Sequence, residues 1–251
     1  MKKTAFITGA SSGIGRAIAR AFAKHEIRLV LCGRRQERLD TLKDELSPLT
    51  EVTTLCFDVR YREVVEKAIG SLDPAFSQID ILVNNAGNAH GLDLIDQGNP
   101  DDWDAMMDIN VKGLLYVTHC ILPQMMKRKA GQIINIGSTA GKEVYPKGDV
   151  YCASKHAVDA INQGMRLDLN GSGIRVGAIN PGLVETEFSD VRFKGDRERA
   201  EKVYEGYTPL RPEDIAEIAY FMVSRPPHVN IADLMVMCTD QASSTIVNKK
   251  T

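Results

Sequence analysis

Short continuous apolar runs alternate along this chain with longer stretches whose apolar residues return every three or four positions. The runs are 5–7 (A-F-I), 28–32 (R-L-V-L-C), 52–57, 81–83 (I-L-V), 133–136 (I-I-N-I), 174–179 and 234–238. Each has strand length and lacks strict polar alternation, which points to a parallel sheet covered on both faces. Between them lie helical patterns. An Ala-rich segment follows Gly15. Residues 36–46 place Leu39, Leu42 and Leu46 on one side, and Pro48 ends that helix. Residues 61–72 align Val64, Val65, Ala68, Ile69 and Leu72. Residues 103–127 form a long helix that Pro123 is expected to kink near its end. Residues 150–169 form another, closed by Gly171 and Gly173, and 212–223 open with a proline in the first turn. Strands alternating with helices imply right-handed crossovers and an α/β, doubly wound sheet of seven strands.

Composition narrows the picture without changing it. The chain has 251 residues, 43% hydrophobic and 25% charged, with a net charge of −2. That is material for one sizeable core, and no linker or repeat divides it, so residues 1–251 read as a single domain. No basic block suggests nucleic acid as a partner, and no apolar stretch approaches the ~20 residues of a membrane helix. The N-terminal apolar run is too short for a signal peptide. The five cysteines (Cys32, Cys56, Cys120, Cys152 and Cys238) are odd in number and scattered. Cys32 and Cys56, within apolar runs, read as buried thiols. A reducing, cytoplasmic setting is expected, and no metal site.

The first strand runs into T-G-A-S-S-G-I-G and then a helix. Strand, glycine turn and helix N-terminus together form a cradle for a pyrophosphate, the opening of a Rossmann sheet. Gly9, Ser11, Ser12, Gly13, Ile14 and Gly15 are the candidate contacts. The serine hydroxyls can meet phosphate or cap the helix. The second strand ends in Gly33-Arg34-Arg35, and Arg34 follows Gly15 by 19 positions. An acid is expected there for a free ribose. Two guanidiniums instead suit a 2′-phosphate, and at a helix start they oppose the macrodipole unless an anion is present. The expected cofactor is NADP(H). Asp58-Val59 and Asn85-Ala86-Gly87 follow the third and fourth strands, on the edge where such sheets bind ligands. Asp58 is a candidate acceptor for the adenine amino group, and Asn85 with its small neighbours admits the ribose.

Tyr151 and Lys155 stand four apart in V-Y-C-A-S-K-H, on one helix face. A free phenol, with a pKa of ~10, is a poor acid or base at neutral pH, and a fixed ammonium nearby lowers that value. The pair can exchange a proton with an alcohol or ketone. Ser138 follows the fifth strand, 13 residues earlier, and can hydrogen-bond the substrate oxygen.

T-G-A-S-S-G-I-G, N-N-A-G, the serine after the fifth strand, Y-C-A-S-K and P-G-L-V-E-T, in this order, resemble the short-chain dehydrogenase/reductase family over essentially the whole chain. The resemblance implies that Tyr151 exchanges the proton and Ser138 orients the carbonyl. It also implies that Lys155 binds the nicotinamide ribose and lowers the Tyr151 pKa, and that Asn110 in D-I-N-V-K-G holds a water of the proton relay. Pro181, Gly182, Val184 and Thr186 would flank the nicotinamide. The family's usual homotetramer is compatible with long helices carrying small or apolar residues on several faces.

The segment after the sixth strand, about 187–210, would form a substrate lid. Its Arg192, between Val191 and Phe193, can clamp a carboxylate if it faces inward. G-R-R-Q-E-R-L, F-S-D-V-R-F-K-G-D and the tail resemble the NADP-dependent 3-hydroxy acid dehydrogenases acting on serine and L-allo-threonine. The implied reaction is oxidation of a small 3-hydroxy acid at its β-hydroxyl. Two alternatives stand beside it. One is a carbonyl reductase for another substrate, such as a 3-oxoacyl thioester. The other is a non-catalytic NADP-sensing regulator, which would have no need of Tyr151 and Lys155 together.

Overall fold

The computed structural model describes residues 2–250 and contains the expected seven-stranded parallel sheet. The strands are β1 (Thr4–Ile7), β2 (Arg28–Gly33), β3 (Val52–Cys56), β4 (Ile81–Asn84), β5 (Gly131–Ile136), β6 (Ile174–Pro181) and β7 (Asp233–Val236), in the order β3-β2-β1-β4-β5-β6-β7. The order reverses between β1 and β4. At that switch point the loops leaving the strands part and open a crevice.

Period-two geometry divides each central strand between two cores. Ala5 and Ile7 of β1, Leu29 and Leu31 of β2, and Ile81 and Val83 of β4 face one layer. That layer is built by α1 (Gly13–Lys24), α2 (Gln36–Leu46) and α9 (Pro212–Val223). Phe6, Val30 and Leu82 face the other, built by α3 (Arg62–Gly70), α5 (Leu114–Arg128) and α6 (Asp149–Asp168). Two covered faces explain why the strands read as unbroken apolar runs.

The outer elements depart from expectation where this double cover fails. β3 is an edge strand, and Cys56 at its end is exposed, whereas Cys32 in β2 is buried as expected. β7, the other edge, is half exposed and ends two residues before the apolar run does. The sixth strand continues through Asn180 to Pro181 because β7 pairs with it as far as Val236.

The long helix expected over 103–127 has three parts. α4 (Pro100–Met107) passes into a π turn (Asp108–Gly113) and then α5. The π turn brings the backbone at Gly113 against Val59, where a Cβ would come within 2.6 Å of the valine methyl. Pro123 does not stop α5, because its ring faces solvent and so does His119, whose carbonyl loses its partner. Between β6 and α9 lie two short helices, α7 (Phe188–Arg192) and α8 (Arg197–Lys202).

Candidate active site

The loops leaving the strands surround one cavity of about 730 Å³. Every residue singled out from the sequence lines it except Gly15 and Asn110. Gly15 lies beneath the turn, where a Cβ would come to 2.4 Å from the Asn85 amide and 2.5 Å from the Gly9 carbonyl. It is the close-packing glycine rather than a contact. Gly9 adopts φ +66° against Asn85 and Ala86, a conformation that disfavours a side chain. Asn85 holds this turn by donating to the carbonyls of Thr8, at 2.9 Å, and Gly9, at 3.3 Å. The α1 N-terminus with Gly13 and Ile14 thus faces the cavity, and Thr186 stands opposite, 3.4 Å from where a Gly13 Cβ would be.

Ser12 occupies the N-cap of α1 but makes no side-chain capping bond. Its hydroxyl accepts from Arg35 at 2.7 Å, and Ser11 accepts from the same guanidinium at 3.1 Å. Arg34 approaches the Asp58 carboxylate at 3.7 Å. Asp58 is itself engaged by the backbone N–H of Arg60 at 3.0 Å and its guanidinium at 2.7 Å. Burial raises the Asp58 carboxyl, but the Arg60 bonds outweigh it and hold it below the usual range. Asp58 therefore fixes its own loop first, and its expected contact with adenine is at most an additional one. Val59, Ala86, Gly87, Pro181, Gly182 and Val184 line the walls.

At the other end, Tyr151 is nearly fully buried, with its ring 5.6 Å from Phe188. Burial pushes its phenol well above the ordinary value, and Tyr145 adds to this. A hydrogen bond from Ser138 and the charge of Arg192 oppose it. Ser138 also caps the turn at Thr139–Gly141, its hydroxyl accepting from Ala140 N–H at 3.1 Å. Lys155, one turn on from Tyr151, donates to the Ile136 carbonyl at 3.0 Å. Burial pushes its ammonium down to about 8. The phenol is not lowered as expected: burial dominates and raises it, while Lys155 directs one of its three N–H groups to β5.

Asn110 is buried behind the cavity. Its amide donates to the Asn88 carbonyl and to Ser154 Oγ, both at 2.9 Å, and its carbonyl accepts from Asn88 N–H. Ser154 in turn donates to the Tyr151 carbonyl at 2.7 Å. The side chain therefore ties the loop after β4 to α6.

Arg192, at the end of α7, turns inward. Nε donates to the Gly91 carbonyl at 3.1 Å, and the guanidinium lies 5.5 Å from the Tyr145 ring centre and 5.6 Å from that of Tyr151. Its Nη2 is buried without a partner. Leaving a buried cationic N–H beside the phenol without an acceptor is costly, and an anionic acceptor is what would satisfy it.

Four participants were not legible beforehand. Tyr145 and the Ile136 carbonyl carry no periodic signal. Gln241, whose side chain accepts from Leu183 N–H at 2.9 Å, comes from an irregular tail. Glu187, inside the lid's charge run, pairs with Arg35 and Arg38, and the complementary charges were the available clue. Among the described residues, no group of three His, Cys, Asp or Glu side chains is placed to hold a metal ion.

Comparison with known proteins agrees with this geometry. The short chain dehydrogenase family profile matches residues 3–197. An NADP-dependent 3-hydroxy acid dehydrogenase of Salmonella typhi is 47% identical over 237 residues, covering 94% of this chain and 95% of that protein. Sulfoacetaldehyde reductase 2 of Chromohalobacter salexigens is 44% identical over 245 residues, 97% of each chain. The closed form of a serine dehydrogenase complexed with NADP+ superposes with a TM-score of 0.92 at 43% identity, covering 99% of this chain and 100% of that one.

Proposed function

The chain belongs to the short-chain dehydrogenase family, and we propose that it is an NADP(H)-dependent oxidoreductase of small 3-hydroxy acids. One observation carries the reading. A single cavity has the glycine turn with Arg34 and Arg35 at one end, and Ser138, Tyr151 and the unpaired Arg192 Nη2 at the other. The site fits the cofactor: backbone N–H groups of a helix start for the pyrophosphate, guanidiniums for the 2′-phosphate, and Pro181 to Thr186 as a wall for the nicotinamide. When bound, NADP+ accepts a hydride and NADPH returns it.

The chain's own groups do the rest. Arg192 holds the carboxylate and so places the β-carbon beside Tyr151. Ser138 orients the oxygen. Tyr151 takes the hydroxyl proton in oxidation and gives it back in reduction. Lys155, at the Ile136 carbonyl, borders the ribose position, and Asn110, buried behind the cavity beside Ser154 and Asn88, is the residue for a relay water. Fixing both partners in one geometry supplies much of the rate.

The same clamp fits a sulfonate, because sulfoacetaldehyde also carries its anion one carbon from the carbonyl. A panel of serine, L-allo-threonine, 3-hydroxypropionate and 3-hydroxybutyrate with NADP+, and sulfoacetaldehyde with NADPH, tests the assignment. Turnover of at least one hydroxy acid, with KM raised 10-fold or more in Arg192→Ala, is expected. No turnover of any member would refute the substrate class.

The reading extends to a homotetramer in a reducing cytoplasm. Five free cysteines fit the compartment. No helix among the described residues is long and apolar enough to cross a membrane. Exposed apolar side chains on two separate faces fit the assembly.

A further inference from the structure

One of the two cations assigned to the cofactor's 2′-phosphate, Arg35, is already holding an anion of the chain's own, together with its neighbour on α2, Arg38. Glu187 Oε2 accepts from Arg35 at 3.0 Å, and Oε1 accepts from Arg38. Arg35 and Arg38 are at the start of α2 and Glu187 at the start of the lid, 149 or more residues away in sequence. Arg35 is simultaneously bonded to Ser11 and Ser12 of the glycine turn. The carboxylate therefore sits at the junction of the turn, α2 and the lid, where a phosphate on the ribose would have to enter. Burial raises the Glu187 carboxyl, but the two guanidiniums outweigh it, so it stays ionised at neutral pH.

We infer that Glu187 is a specificity-determining residue, an internal competitor that the 2′-phosphate displaces from Arg35 and Arg38. This rests on the NADP(H) reading above. The chemistry favours exchange. All three side chains are about half exposed, and pairs of that kind contribute little on their own. A phosphate brings more negative charge and three acceptor oxygens to the same guanidiniums. A cofactor without that phosphate has nothing to exchange and leaves the ion pair in place. The pair also tethers the lid, since Glu187 is followed directly by α7, which ends in Arg192.

Equilibrium binding of NADPH, NADH, 2′,5′-ADP and 5′-AMP to the wild-type protein and to Glu187→Gln tests this, with circular dichroism confirming that the variant is folded. Removing the competitor is expected to tighten NADPH and 2′,5′-ADP about five- to tenfold and to leave NADH and 5′-AMP within twofold. Glu187→Asp, which keeps the charge on a shorter stem, is expected to fall between. Unchanged or weaker binding of the phosphate-bearing ligands, with wild type still preferring NADPH over NADH, overturns the inference alone. Equal tightening of all four ligands also overturns it, because that would reflect a loosened lid. Equal wild-type affinities for NADPH and NADH overturn the inference together with the cofactor reading.

Discussion

Two titrating side chains one helical turn apart are shifted in ways that make separate, checkable demands. Burial raises the Tyr151 phenol, so the neutral acid dominates through the physiological range. Reduction needs that acid and oxidation needs its conjugate base. The oxidation rate is therefore expected to keep rising as pH goes from about 7 to about 10, while reduction stays flat. In Tyr151→Phe both activities should fall by two orders of magnitude or more, with cofactor affinity retained. An oxidation profile flat above neutrality would remove the phenol from the proton path. Lys155 is lowered by burial, to about 8. The unfolded lysine titrates near ~10.4, so between about 8 and that value the unfolded chain binds more protons and stability rises with pH. Below about 8 the buried ammonium carries its full cost, in part offset by the bond to Ile136. Lys155→Met is accordingly expected to stabilise the cofactor-free protein at pH 7 by about 1–3 kcal/mol. The gain should shrink towards nothing by about pH 10, as read from chemical denaturation at each pH.

Elements explain which parts of this site could be read in advance. The two glycine-bearing loops, the Tyr-Lys face of α6 and the arginine pair all depend on local spacing. Strand runs and helix faces bring those spacings to one sheet edge. Gly15 is the sharpest case of a motif residue whose job is packing. Alanine there would press on the Gly9 carbonyl and the Asn85 amide, neither of which can move without breaking the turn. Gly15→Ala is expected to cost about 1–3 kcal/mol as an overpacked site. At about 2–4 °C per kcal/mol, the thermal midpoint should drop measurably. An unchanged midpoint would mean the turn is softer than its contacts indicate. What local spacing does not encode is where a long side chain ends. Arg35 reaches back to Ser11 and Ser12 and across to Glu187, Asn110 turns to Asn88, and Lys155 reaches Ile136. The π turn at Asp108–Gly113 was missed because its trace is a single five-residue step between buried apolar positions, Ile109 to Leu114, inside a long window otherwise spaced at three and four. Cys56 misled because edge position, which sets its exposure, is a property of strand order and not of the run itself.

At the scale of the molecule, two groups of exposed apolar side chains sit on outer elements of the sheet's two layers and edge. One comprises Leu115 and Met126 of α5, 41% and 42% exposed, with Leu122 between them at helical spacing, and Leu167 of α6. The other is the sheet edge, where Phe221 of α9 and Met235 of β7 are 47% and 51% exposed, Met235 pointing away from the α9 layer that Leu234 and Val236 face. An apolar stripe and an open edge both invite a partner. A face that meets its own copy around a two-fold axis closes a dimer, and two different faces each doing so close a tetramer of D2 symmetry. The mass in solution is then expected to be four times the 27.7 kDa of one chain. Placing a charge on either face, as Leu115→Arg or Phe221→Arg, should halve that mass without unfolding the subunit, and the double variant should be monomeric. Light scattering coupled to size exclusion reads these masses directly. A monomeric wild-type protein would rule out the assembly. A tetramer that survives both substitutions would place its interfaces elsewhere. The two variants also separate the assembly from the chemistry, because neither residue lines the cavity. If Phe221→Arg dimers keep full turnover, that edge serves association alone. If turnover falls with the mass, β7 and the tail around Gln241, which positions Leu183 in the cavity wall, depend on the neighbouring subunit for their order.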